Sequence, residues 1–75
     1  MRTGLSVPHR VTLPSTPLIA GWHLRQALGV SKARLHLWRR DQGFPPFHRS
    51  GRDYFTDTDA VERWLEERGT RVTRL

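Results

Sequence analysis

The sequence predicts a small, mostly helical α+β domain, and three observations support this prediction. A short helix over residues 22–28 is followed by Gly29 and by Ser31, which suit the end of one helix and the start of the next. Two aromatic segments flank Ser50-Gly51, as expected of a β-hairpin. A final helix with apolar residues on one face follows. In this order the elements predict a winged helix-turn-helix, with three short helices and a two-stranded β-hairpin wing.

The two ends of the 75-residue chain differ in composition from its middle. Residues 1–17 contain three prolines and show little periodicity, so we predict a flexible N-terminal arm. Residues 18–69 form the predicted domain, and residues 70–75 a flexible basic tail. Residues 18–20 suit either a short strand or an apolar lead-in to the first helix. A folded unit of about 50 residues has only a small core, which argues against a deep catalytic cleft.

The second helix is predicted from Lys32 to about Arg40. Leu35 and Trp38 are three residues apart, so both side chains point the same way and are expected to enter the core. The opposite side of this helix is basic and partly apolar, which is unusual for a helix that only faces solvent.

The segment 42–47 contains a glycine and two prolines and must end the second helix. Thr56 and Asp59 resemble a capping box that opens the third helix, and Gly69 closes that helix. One face of this helix carries Val61, Trp64, Leu65 and Arg68.

The seven aromatic residues allow two interpretations. They are typical of stacking platforms for single-stranded nucleic acid, or of a protein core. Their spacing among aliphatic residues favours the core, and Trp22 is the weakest case because it stands at a helix start. The aromatic residues are Trp22, Trp38, Phe44, Phe47, Tyr54, Phe55 and Trp64.

The positive charge is concentrated in the first two thirds of the chain. The net charge is +6, and twelve of the thirteen basic residues are arginine. Residues 1–52 hold nine basic residues and one acidic residue, whereas residues 53–75 hold four basic and six acidic residues. A cationic face of this kind favours a polyanionic partner.

Composition also excludes several classes of site. The chain has no cysteine, which excludes disulfides and thiolate metal sites and suits a reducing, cytoplasmic environment. No apolar run is long enough for a membrane span. The four histidines are scattered without metal-ligand spacing, so we predict no metal and no cofactor. Carboxylates crowd the last helix, where they suit its N-terminal dipole and pairing with Arg63 better than catalysis.

Two clusters are the candidate contacts to double-stranded DNA. In a recognition helix the N-terminal residues reach base edges in the major groove, and arginines at a hairpin tip can follow the minor groove or phosphates. The alternative is that both clusters are only solvated, charged surface. The predicted recognition-helix residues are Ser31, Lys32, Ala33, Arg34, His36, Leu37, Arg39 and Arg40. The predicted wing residues are His48, Arg49, Ser50, Gly51 and Arg52.

The order of these segments resembles the AlpA and phage excisionase group, which has the winged helix-turn-helix of the MerR-type regulators. The resemblance covers about residues 18–68 and depends on four motifs in sequence. Arg25 departs from it, since that group usually has alanine there. The motifs are residues 28–31 (LGVS) before a helix with Trp38, residues 43–45 (GFP), residues 50–52 (SGR) and residues 61–65 (VERWL).

The resemblance implies a non-enzymatic role on DNA in a bacterial or phage-infected cell, in association with the nucleoid. The leading hypothesis is a phage or mobile-element excisionase that binds and bends attachment-site DNA, as copies placed head to tail, to direct a tyrosine or serine integrase. A transcriptional regulator and a DNA-docking subunit of a terminase-like enzyme are the alternatives, and an enzyme such as a nuclease is the least favoured.

Overall fold

The computed structural model of the chain describes residues 7–75 and contains, within them, three helices and five strands. In chain order the elements are β1 Arg10–Leu13, β2 Leu18–Ala20, α1 Gly21–Leu28, α2 Lys32–Asp41, β3 His48–Ser50, β4 Asp53–Asp57, α3 Thr58–Glu67 and β5 Arg71–Arg74. This is the small α+β architecture that the sequence predicts, with more strand than expected.

Local signals end α1 and begin α2 as predicted. Gly29 adopts the left-handed conformation, with φ 69°, and its amide donates to the Arg25 carbonyl at 2.8 Å. The Ser31 side chain caps α2 by accepting from the Arg34 amide at 3.1 Å. Both predicted caps are therefore confirmed, and they place α2 directly after a tight turn.

The predicted two-stranded hairpin is part of a three-stranded antiparallel sheet in the order β2-β4-β3. The strand added to the predicted hairpin is β2, where Ile19 is almost completely buried and pairs with Thr56 of β4. At the other edge Ser50 pairs with Asp53. The loop is therefore residues 51–52, one position later than the predicted tip, and Gly51 has a φ of 64° that such a two-residue turn requires.

The predicted capping box at the start of α3 is wrong by one residue. Asp57 is the N-cap, and its side chain accepts from the Ala60 amide at 3.1 Å. Thr56 is instead a buried residue of β4 whose hydroxyl donates to the Pro46 carbonyl at 2.8 Å. Because Asp57 is extended and pairs with Leu18 of β2, it cannot be the first helical residue, and the helix begins one position later than predicted.

Residues 10–13 and 71–74 are paired strands, so the predicted flexible arm and tail are wrong for these segments. β1 and β5 form a two-stranded parallel sheet with Arg10 opposite Arg71. Val11 and Leu13 of β1 are buried in the core. The first six residues of the predicted arm lie outside the described residues.

Three aromatic rings form the centre of the core beside α2 and α3. The Trp38 and Trp64 ring centroids are 5.1 Å apart, and Phe44 meets Trp64 edge-on at 4.8 Å. The Trp64 indole N–H donates to the Gln42 carbonyl at 2.9 Å. The Arg68 guanidinium lies 4.0 Å from the Trp64 ring centroid, so this partly buried arginine also belongs to the predicted inner face.

The assignment of all aromatic residues to the core is confirmed only in part. Trp38, Phe44 and Trp64 are buried, and Phe47 and Phe55 are half-buried. Trp22 and Tyr54 are instead exposed, at 57% and 51% of their surface. Trp22 is exposed because the inward positions of α1 are taken by Gly21, Leu24 and Leu28.

Candidate nucleic-acid interface

Helix α2 turns its basic side to solvent because its two large apolar residues are held in the core. Leu35 and Trp38 are its only buried residues. Leu37, on the outer side, leaves 46% of its surface exposed. Every predicted recognition-helix residue is exposed: Ser31, Lys32, Ala33, Arg34, His36, Leu37, Arg39 and Arg40.

The β3–β4 hairpin carries a second exposed cationic group. All the predicted wing residues are exposed, namely His48, Arg49, Ser50, Gly51 and Arg52. The Arg49 Nε–H donates to the Gly51 carbonyl at 3.1 Å. Its guanidinium also lies 5.9 Å from the ring centroid of Tyr54, its partner across the two strands. These contacts direct Arg49 along the hairpin toward its tip.

A groove separates the exposed side of α2 from the base of the hairpin. The Arg39 guanidinium reaches across it to within 5.4 Å of the Phe47 ring centroid. Lys32, His36 and Arg39 are the predicted site residues that line this groove, and Tyr54 of β4 lines its other side. The remaining predicted residues of α2 and the hairpin tip lie outside it.

Sequence reasoning missed the contribution of α1 to the same groove. Gly21 and Arg25 line it together with the α2 residues. They are four residues apart and therefore share one face of α1. This spacing was visible in the sequence, but which partner that face meets depends on tertiary packing.

Most of these cations have no acidic partner. Lys32, Arg34, Arg39, Arg49 and Arg52 form no ion pair with any residue of the described range 7–75. Their charge is therefore available to an external anion.

Arg40 is the exception among the predicted contact residues. Its Nε and Nη2 donate to the two Asp41 carboxylate oxygens at 3.1 and 3.2 Å. These hydrogen bonds raise the pKa of Arg40 and lower the pKa of Asp41. Asp41 thus competes for Arg40 with any phosphate or base.

The acidic residues of α3 are partly neutralised within the chain. Arg74 of β5 contacts Glu62 at 2.6 Å and Asp59 at 3.0 Å, and hydrogen bonds to these carboxylates raise the pKa of Arg74. Arg68 approaches Glu67 at 3.7 Å. Ion pairs within the chain therefore neutralise most of the negative charge of α3, whereas they neutralise only one of the cations of α2.

The chain matches no protein-family model, no curated protein and no solved structure. None of the three helices within residues 7–75 has the length and apolar character of a membrane span. The same residues contain no cluster of three or more potential metal-ligating side chains.

Proposed function

We propose that this protein binds double-stranded DNA, with α2 as the recognition helix in the major groove and the β3–β4 hairpin as a wing. One observation carries the proposal: α2 and the hairpin expose five cations that form no ion pair with a residue between 7 and 75, and two of them, Lys32 and Arg39, line the groove between these elements. A nucleic-acid backbone is the polyanion that such a surface suits best.

The first turn of α2 is the part that would approach base edges. Lys32 and Arg34 can donate to guanine acceptors, and the methyl group of Ala33 can meet a thymine methyl. Leu37 is one turn further along the helix, and its exposed side chain offers a second apolar contact. The positive end of the α2 dipole favours a phosphate nearby.

The hairpin supplies contacts that are independent of sequence. Arg49 is held by its own turn and by Tyr54, and Arg52 stands in the turn itself. Arginines in this position can follow a phosphate strand or enter a narrow minor groove.

The biological role that we propose is that of a phage or mobile-element excisionase, which binds and bends attachment-site DNA so that an integrase performs excision. The support is the order of motifs along residues 18–68 that resembles the AlpA and excisionase group. Footprinting on the genome of origin tests the role, since directly repeated sites beside an attachment core would support it. A single site at a promoter would favour a transcriptional regulator instead.

Binding itself is tested by titrating duplex DNA at several salt concentrations. With about four to six phosphates neutralised per monomer, the slope of log K against log salt is expected to be about −4 to −5. A slope near zero would exclude DNA as the partner.

Single substitutions then separate base contacts from backbone contacts. Lys32→Ala and Arg40→Ala are each expected to reduce specific binding by about 1–3 kcal/mol if the residue contacts a base. Arg49→Ala is expected to reduce specific and non-specific binding by similar factors. The assignment of roles is reversed if only the hairpin change alters sequence preference.

A further inference from the structure

The groove between α1, α2 and the hairpin is large enough to hold a small group. Its volume is about 360 Å³. It is lined by α2, by Phe47 and Tyr54, and by Gly21 and Arg25 of α1. Helix α1 thereby contributes to a surface that the proposed function assigns only to α2 and the hairpin.

Three cations from two helices line this groove without any carboxylate. Arg25 comes from α1, and Lys32 and Arg39 come from α2. No acidic residue lines the groove, and none of the three cations forms an ion pair with a residue between 7 and 75. Like charges that converge beside aromatic walls repel each other, and a bound anion relieves this repulsion.

The Arg25 guanidinium and the Phe47 ring approach the same glycine of α1. A Cβ atom added to Gly21 would lie 3.8 Å from Arg25 Nη1 and 3.4 Å from Phe47 Cε2, so both groups meet at Gly21. The same Phe47 ring has the Arg39 guanidinium 5.4 Å from its centroid. The Phe47 ring therefore lies beside Arg39 and next to Gly21, which Arg25 also approaches, and neither arginine forms an ion pair with a residue of the range 7–75.

We propose that this groove binds one phosphodiester group of the DNA strand that α2 and the hairpin straddle, with Arg25 as its principal ligand. The proposal rests on the proposed function and extends the interface to α1. An arginine provides several N–H donors in a planar fork, which suits two phosphate oxygens. Arg39 of α2, beside the Phe47 ring, adds charge next to the same group.

The test uses Arg25→Gln, which keeps most of the partly buried stem and removes the charge. It is expected to make the salt slope shallower by about 0.9 while leaving sequence preference unchanged. Arg25→Lys is expected to retain most of the slope. Arg71→Gln is the matched control, because Arg71 is exposed on β5 outside the groove and should leave the slope unchanged.

Neutral methylphosphonate linkages locate the phosphate. Placed one at a time along a selected duplex, one such linkage should weaken wild-type binding but have no further effect on Arg25→Gln. If wild-type binding has a steep salt slope that Arg25→Gln leaves unchanged, the groove assignment is wrong and the proposed function stands. A wild-type slope near zero contradicts the proposed function itself.

A free nucleotide offers the same phosphate chemistry, so a second arm separates the two sources. Deoxyadenosine monophosphate is titrated while the Arg25 side-chain N–H signal is followed by NMR. Weak, unsaturated shifts are expected, because one phosphate lacks the contacts that α2 and the hairpin add. Saturable sub-millimolar binding that Arg25→Gln abolishes would overturn the proposal in favour of a nucleotide site.

Discussion

Trp38 and Trp64 pack against each other from two different helices, and both are almost fully buried. Alanine at either position would leave a large cavity in a small core and is expected to reduce the free energy of unfolding by about 3–5 kcal/mol. That is close to the whole stability of a domain of this size, so neither variant should retain a cooperative thermal transition.

Trp22→Ala is the matched control for this prediction, because that side chain is mostly exposed. Its effect on stability is expected to stay below about 1 kcal/mol. Circular dichroism melting curves of the three variants provide the measurement. A folded Trp38→Ala variant that has lost only DNA binding would show that α2 is rotated from the observed orientation.

Asp41 restrains Arg40 through its carboxylate, and replacing that carboxylate gives a second prediction for a single residue. The Asp41 carboxylate is ionised at neutral pH and accepts hydrogen bonds from Nε and Nη2 of Arg40, and these bonds lower its pKa further. An exposed pair of this kind is weak, because water screens the charges and holding both side chains in one geometry costs entropy. Asp41→Asn is therefore expected to increase DNA affinity about two- to fivefold, in a titration at fixed salt.

The double variant Asp41→Asn with Arg40→Ala identifies the cause. If Asp41 acts by restraining Arg40, most of the gain should disappear in the double variant. A gain that persists in full would mean that Asp41 acts by direct repulsion of phosphate.

At the level of elements, the helices were predictable because their signals are local. The turn between α1 and α2 is encoded by Gly29 and Ser31 within a few residues, and both act as expected. β1 and β5 were missed because strand pairing joins segments at opposite ends of the chain. A four-residue strand such as β1 has too few alternating positions to be distinguished from a polar arm.

In the candidate site, too, the features set by local sequence were predictable and those set by tertiary packing were not. The outer side of α2 follows from the spacing of Leu35 and Trp38, so its exposed residues could be predicted one by one. That Arg25 lines the same groove as Lys32 and Arg39 could not be predicted, because it depends on how α1 packs beside α2.

The terminal strand β5 is expected to be essential for folding. It pairs with β1, and the buried side chains of Val11 and Leu13 depend on that pairing for their position. Deleting residues 71–75 should reduce stability by about 1.5–3 kcal/mol for each of these side chains that leaves the core.

Leu75→Ala is the control for the deletion, since 81% of the Leu75 surface is exposed and its amide can still donate to the Leu13 carbonyl. Thermal unfolding of both variants is the measurement. A deletion variant that melts at the wild-type temperature would mean that β1 holds its place without β5.

At the scale of the whole molecule, charge asymmetry suggests how neighbouring copies meet on DNA. Within residues 7–75 the basic groups of α2 and the hairpin form one ion pair, Arg40–Asp41, whereas Arg74 and Arg68 engage three carboxylates of α3. Glu66 is exposed and forms no ion pair with a residue of the described part of the chain. It is therefore the α3 carboxylate most available to a basic surface of a second copy.

A contact between unlike surfaces propagates along DNA rather than closing into a dimer, so we expect a monomer in free solution and cooperative occupancy of directly repeated sites. Glu66→Gln is expected to reduce cooperativity on tandem sites without weakening binding to one site. Glu67→Gln removes the same charge where Arg68 already balances it, and should change cooperativity less. Gel shifts on single and tandem sites, with sedimentation of the free protein, provide the measurements. A stable free dimer that binds one inverted repeat without cooperativity would contradict this assembly and favour a regulator.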